Sequence, residues 1–238
     1  MKTLPLGLLL ALTPFLLAAD DPTPSKAAEK VTVAPKAKAK TPDPAMAPIT
    51  DTAGLPRVLL IGDSISIGYT LPVRRQLAGV ANVHRIPTNG GPTINGVANL
   101  AKWLGEGKWD VIHFNFGLHD LKIMEGGKRQ VEPEDYERNL RALVAELRKT
   151  GAKLVFATTT PVPEGKLNPP RNFGDVATYN QIALKVMQEQ AVAIDDLNAA
   201  VAPDLAKLQR PHDVHYTAEG YEALGQAVAK SLLKALGK

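Results

Sequence analysis

The stretch Arg57-Val58-Leu59-Leu60-Ile61-Gly62-Asp63-Ser64-Ile65-Ser66 decides how this chain reads. Val58 to Ile61 form an apolar run too short for a helix and ended by glycine, as in a strand buried on both faces of a parallel sheet. The chain then passes directly into Gly62-Asp63-Ser64, so a serine stands just past a strand end, at the rim of a sheet. A hydroxyl there shares its space with its own backbone N–H, which helps to build an oxyanion hole. The same residues also occur in ordinary turns, where Asp or Ser caps the next helix. A nucleophilic role therefore needs a base elsewhere in the chain.

Working outward, Val111 to Phe116 and Lys153 to Thr158 repeat the buried-strand pattern, and Val83 to Ile86 and Ala191 to Ile194 repeat it more weakly. Helical patterns fall between them. The clearest is Glu134 to Thr150: Pro133 opens it, Leu140, Leu143, Val144 and Leu147 make one apolar face, and Gly151 ends it. Further helices are expected near Tyr69 to Leu77, Ile94 to Leu104, Val176 to Gln190 and Ala218 to Leu236. Strands alternating with helices imply an α/β protein whose parallel sheet is covered on both faces. Ligands in such sheets sit beyond the carboxyl ends of the strands.

The opening residues follow other rules. Lys2, an apolar run from Leu4 to Leu17, and Ala18-Ala19 before Asp20-Asp21 have the form of an export signal. The run is shorter than the roughly 18 to 20 apolar residues a membrane span needs. Residues 1–19 are therefore expected to be a signal peptide, giving a periplasmic or extracellular protein with no stable membrane insertion after cleavage. Residues 20–54 turn to Pro, Ala, Lys and Thr without a hydrophobic period, which predicts a disordered linker, and the folded domain is expected over 55–238. Much of the +4 formal charge lies in Lys26, Lys30, Lys36, Lys38 and Lys40 of that linker, and aromatics are only 5%, so nothing points to nucleic acid. The chain has no cysteine, which excludes disulfides, thiolate metal sites and a cysteine nucleophile.

A base for the serine stands near the other end of the chain. His215 lies in His212-Asp213-Val214-His215-Tyr216-Thr217, before a helix that Thr217 would cap. A serine hydroxyl becomes a good nucleophile when an imidazole takes its proton and a carboxylate orients that imidazole. Taken alone, His215 reads first as a helix-capping or surface histidine. His113, His119, His212 and His215 form no close-spaced ligand motif, and serine chemistry needs no metal, so no cofactor is expected.

Four blocks in order resemble the SGNH/GDSL hydrolase family, over nearly all of the chain from Arg57 onward. Gly62-Asp63-Ser64-Ile65-Ser66 resembles the nucleophile block, and Asn89-Gly90-Gly91-Pro92-Thr93 the loop whose glycine N–H joins the oxyanion hole, with Gly91 the better match. Phe116-Gly117-Leu118-His119-Asp120 resembles the third block and Asp213-Val214-His215-Tyr216-Thr217 the base block. The resemblance implies a three-layer α/β/α sandwich with a parallel sheet of about five strands in flavodoxin-like order. It also implies Ser64 as nucleophile, His215 as base, and the N–H groups of Ser64 and Gly91 in the oxyanion hole, with Asp63 and Asp120 supporting their turns.

Two positions depart from the family pattern. The third block usually carries an Asn whose amide donates to the oxyanion, and His119 stands there. A neutral imidazole still offers one N–H, so His119 either replaces that donor, the favoured reading, or is structural. In the base block the carboxylate usually lies three residues before the histidine, where this chain has His212. Asp213 is then the expected orienter of His215, the alternative being a backbone carbonyl behind a Ser–His pair. The Pro-rich segment from Pro161 to Gly174 follows a strand end and is placed to wall a cleft. The expected activity is hydrolysis of small acyl esters, acetyl above all, on carbohydrates. The rivals are a lipase, lysophospholipase or thioesterase of the same fold, and a non-catalytic glycan-binding module.

Overall fold

In the computed structural model, which describes residues 43–238, five parallel strands form one sheet in the order β2-β1-β3-β4-β5. They are β1 Arg57–Ile61, β2 Asn82–Arg85, β3 Val111–Phe114, β4 Lys153–Ala157 and β5 Ala193–Asp195. Val58 to Ile61 and all of β3 are buried, which explains their unbroken apolar runs. The edge strand β5 exposes Ala193 and Ile194, and its signal in the sequence is correspondingly weak.

The helices are α1 Ser64–Gln76, α2 Thr93–Leu104, α3 Pro133–Arg148, α4 Asp175–Glu189, the short α5 Leu197–Val201 and α6 Leu205–Leu208, and α7 Ala218–Leu236. On one face of the sheet α1 packs on α7; on the other α3 packs between α2 and α4. Tyr136, Leu140, Leu143, Val144 and Leu147 of α3 are buried, the stripe read from the sequence with one aromatic added. This is the three-layer sandwich in flavodoxin-like order. The order reverses at β1, so α1 and α2 leave toward opposite faces and open a crevice beyond the strand ends there.

The helix expected from Tyr69 begins at Ser64 instead. Asp63 caps it, its carboxylate accepting the Ile65 N–H at 2.9 Å. Gly68 and Pro72 interrupt the helical pattern of α1, and both serve its contact with α7. A Cβ on Gly68 would fall 2.1 Å from the Tyr221 ring, and one on Gly225 would fall 2.4 Å from Cβ of Pro72. The two helices thus approach more closely than ordinary side chains allow.

The expected export signal and residues 20–42 of the expected linker lie outside the described residues. The rest of that linker, residues 43–54, lies against the domain. Pro44–Met46 form a 3-10 turn capped by Asp43, with Ala45 buried. Arg74 donates to the carbonyls of Pro44 and Ala47, and the Asn82 side chain both accepts from Thr52 N–H and donates to Thr52 O. The Pro/Ala composition conceals this because the domain's side chains, not the segment's own, satisfy its backbone. Residues 43–54 are thus bonded to the domain that follows them. Among the described residues no helix is long and apolar enough to cross a membrane.

Candidate active site

Beyond the carboxyl end of β1, Ser64 is the first residue of α1. The first N–H groups of a helix have no intrahelical partner and carry the positive end of its dipole. Ser64 Oγ lies 2.9 Å from His215 Nε2, across 151 residues of sequence. His215 Nδ1 lies 2.7 Å from Asp213 Oδ1, which also accepts the His215 backbone N–H at 3.1 Å. A carboxylate only accepts, so Nδ1 carries the proton and Nε2 turns its lone pair to the serine. Burial pushes the Asp213 carboxyl up, but the two bonds from His215 outweigh it and hold the group below the ordinary carboxylate range.

His212, at the position where the family has its carboxylate, adopts φ +53°. This left-handed turn, with the Asp213 N–H bonded to Arg210 O, lets an aspartate two residues before His215 reach the imidazole.

His119 stands beyond β3 with Nε2 4.0 Å from Asp63 Oδ2. Lys122 Nζ lies 2.9 Å from its Nδ1. An ammonium can only donate, so Nδ1 accepts and the His119 proton sits on Nε2. Burial lowers the pKa of His119; Asp63 opposes that, while Lys122 and Arg171 reinforce it. His119 is held as a neutral imidazole with one fixed donor. Lys122 went unnoticed in the sequence, though its spacing three residues after His119 is the available signal.

The glycine loop differs from expectation. Gly91 has φ +63°, but its N–H donates to Asn89 Oδ1 at 2.9 Å. For Gly91 to bind an oxyanion, the Asn89 side chain must first swing away. Asp120 supports this loop: its Oδ1 accepts the Thr93 N–H at 2.8 Å and the Thr93 hydroxyl at 2.5 Å. It thereby caps α2, whose own N-cap Pro92 supplies no side-chain bond. Burial pushes the Asp120 carboxyl up to about 7 against these bonds, and its Oδ2 has no hydrogen-bond partner among the described residues.

Arg85 joins the nucleophile turn to the glycine loop. Its guanidinium donates to Gly62 O and Ser66 Oγ on one side and to Ile86 O and Thr88 O on the other, at 2.8 to 3.3 Å. As the last residue of a strand it gave no sign of this in the sequence. Asn115, Asn180, Asp195 and Asp196 are structural: Asn115 binds Ala157 O, Asn180 binds Thr159, Asp195 binds His113 and Asp196 caps α5.

Ser64, Asn89, His119, Asp213 and His215 share a cleft of about 200 Å³. Leu167, Asn168, Pro169 and Arg171, from the segment expected to form a wall, line its side. A larger depression of about 490 Å³ lies at the opposite ends of β4 and β5 and has no nucleophile in its lining. Among the described residues no three His, Cys, Asp or Glu side chains are grouped to hold a metal ion.

The profile of the GDSL-like lipase/acylhydrolase family matches residues 60–223. Among solved structures, the acetyl xylan esterase AlAXEase is similar at 17% identity over 74% of this chain and 99% of that one, with TM-score 0.64. A lipase/acylhydrolase from Enterococcus faecalis is similar at 21% identity over 75% and 95%, with TM-score 0.65. Axe2, an acetylxylan esterase from Geobacillus stearothermophilus, is similar at 20% identity over 77% and 94%, with TM-score 0.61. No curated protein sequence matches the chain.

Proposed function

The chain belongs to the GDSL-like lipase/acylhydrolase family of serine ester hydrolases, and from that membership we propose an exported esterase that removes acetyl groups from carbohydrates by acyl-enzyme chemistry. The observation that carries this reading is the chain of contacts from Ser64 Oγ through His215 to Asp213, with the proton order it dictates.

Ser64 Oγ attacks the ester carbonyl as its proton passes to His215 Nε2, and Asp213 holds the resulting imidazolium. The oxyanion is met by the Ser64 N–H and the Nε2–H of His119, and by the Gly91 N–H once Asn89 gives way. Collapse expels the alcohol, which takes its proton from His215. Water, deprotonated by the same imidazole, then attacks the acyl-serine, and the acid leaves as His215 returns the proton to Ser64 Oγ. Each step conserves atoms and needs no cofactor.

The small cleft, edged by Lys122, Arg171, His119 and Asn89, favours a short acyl group on a polar alcohol. Two of the similar structures are acetyl xylan esterases, which agrees with a carbohydrate ester. The signal-like first nineteen residues support export.

Hydrolysis of 4-nitrophenyl acetate and decanoate by the purified protein and its Ser64→Ala variant tests the proposal. Turnover of acetate above decanoate, lost in Ser64→Ala, is expected. Turnover that survives Ser64→Ala overturns the nucleophile, and a decanoate preference overturns the acetylesterase reading.

A further inference from the structure

Two cations, Lys122 and Arg171, face the cleft. Neither Lys122 nor Arg171 has a carboxylate within 4.0 Å among the described residues, unlike Arg129, which pairs with Asp175 at 2.7 Å, and Arg141, which pairs with Glu189 at 2.7 Å. The carboxylates nearest the cleft are already engaged. Asp213 is bound to His215, and Asp63 is only 3% exposed and caps α1.

We infer that Lys122 and Arg171 form an anion subsite beside Ser64, so that the preferred substrate is an acyl ester on a sugar that also bears a carboxylate. The inference rests on the esterase reading above and names its substrate more narrowly.

Arg171 is held for this task. Its Nε donates to Leu118 O at 3.0 Å and its Nη1 to Pro169 O at 3.1 Å, which fixes the plane of the guanidinium and leaves Nη2 without a bond among the described residues. A guanidinium so oriented matches the planar geometry of a carboxylate with little further ordering cost. Lys122 commits one proton to His119 and keeps two for a second acceptor.

Leaving two partly buried charges unpaired is costly, and the cost is recovered when an anion enters. Burial lowers the pKa of both groups, which is the direction expected of cations that lack a partner, even with Asp63 acting the other way on each. The groups facing them are His119, His212, His215 and Asp213, with the buried Asp63 behind, and among the described residues Asp213 is the only carboxylate in the lining.

The test compares acetylated oligogalacturonides with acetylated xylo-oligosaccharides as substrates of the full chain, with 4-nitrophenyl acetate as the uncharged reference. A kcat/KM at least about tenfold higher for the acidic ester is expected, shrinking with added salt because screening weakens charge pairing. Arg171→Gln should abolish the preference, and Arg171→Lys, which keeps the charge, should retain much of it. Equal use of both esters, or a preference that survives Arg171→Gln, overturns the subsite.

Calorimetric titration of deacetylated oligogalacturonide into the Ser64→Ala protein reads the subsite without turnover. Affinity at least about tenfold above that for xylo-oligosaccharide supports it, and equal affinity overturns it. If no ester is cleaved, this titration still decides the subsite while the esterase reading fails alone.

Discussion

Lys122 donates to His119 Nδ1 at 2.9 Å, and this one contact decides which imidazole nitrogen can serve a reaction. It converts a residue that departs from its family's amide into a donor with a single possible orientation of its proton.

His119→Ala should therefore lower kcat for 4-nitrophenyl acetate by about 100- to 1,000-fold, the range for loss of one oxyanion donor. His119→Asn, which restores an amide, should keep most of the rate. Lys122→Met should fall between the two, because Nδ1 then competes for the proton. Steady-state kinetics on this uncharged ester separates the effect from any recognition of an anion.

Asp213→Asn should cost about 100- to 10,000-fold in kcat, since an amide in that place no longer enforces the proton on Nδ1 of His215. His212→Ala should change kcat little, although it occupies the position the family gives to the carboxylate. The bonds from His215 hold Asp213 below the ordinary carboxylate range, so it stays charged well into acid. Steady-state kinetics on 4-nitrophenyl acetate reads both variants, and an Asp213→Asn protein that kept the wild-type rate would overturn the orienting role.

The buried Asp120 predicts a pH-dependent stability. Its carboxyl is pushed up to about 7, so the folded protein holds that proton more tightly than the unfolded chain does. Such a group stabilises most at pH below its ordinary pKa, and the benefit is lost as pH rises through about 7. The wild-type Tm should fall from pH 4 to pH 8 relative to Asp120→Asn, by an amount equivalent to at most a few kcal/mol. A parallel course of the two melting curves would contradict the assignment.

Arg85→Met should lower stability by roughly 2 to 4 kcal/mol, because it strips donors from several buried carbonyls and from Ser66 Oγ. Its kcat should fall too, as the Ser64 turn and the Gly91 loop lose their common brace. Chemical denaturation and kinetics on the same preparation check both effects.

The strands and the clearest helix were legible because burial on both faces writes itself as unbroken apolar runs and one-sided burial as a stripe. The grouping of Ser64, His215 and Asp213 was legible through the resemblance of their sequence blocks to a known family, and the fold brings the three side chains into contact. The start of α1 was not, since Gly68 and Pro72 serve a helix crossing and break the pattern. Lys122, Arg171 and Arg85 were not, because a basic residue reads as solvated until the fold shows what surrounds it. The occupied N–H of Gly91 was hidden for a related reason: which side chain swings back onto a loop is a matter of tertiary geometry. Residues 43–54 were read as linker because composition reports what a segment can bury, not what neighbouring Arg74 and Asn82 can offer its backbone.

Ser64 opens α1 and His215 stands just ahead of α7, and those two helices touch where Gly68 admits the Tyr221 ring and Gly225 admits Pro72. The reactive distance is therefore a reading of side-chain order between distant parts of the chain. A swollen state that kept its helices but relaxed this contact would retain its far-ultraviolet spectrum and be chemically silent. Activity here gauges the tightness of the interior, and it should vanish before the backbone unwinds.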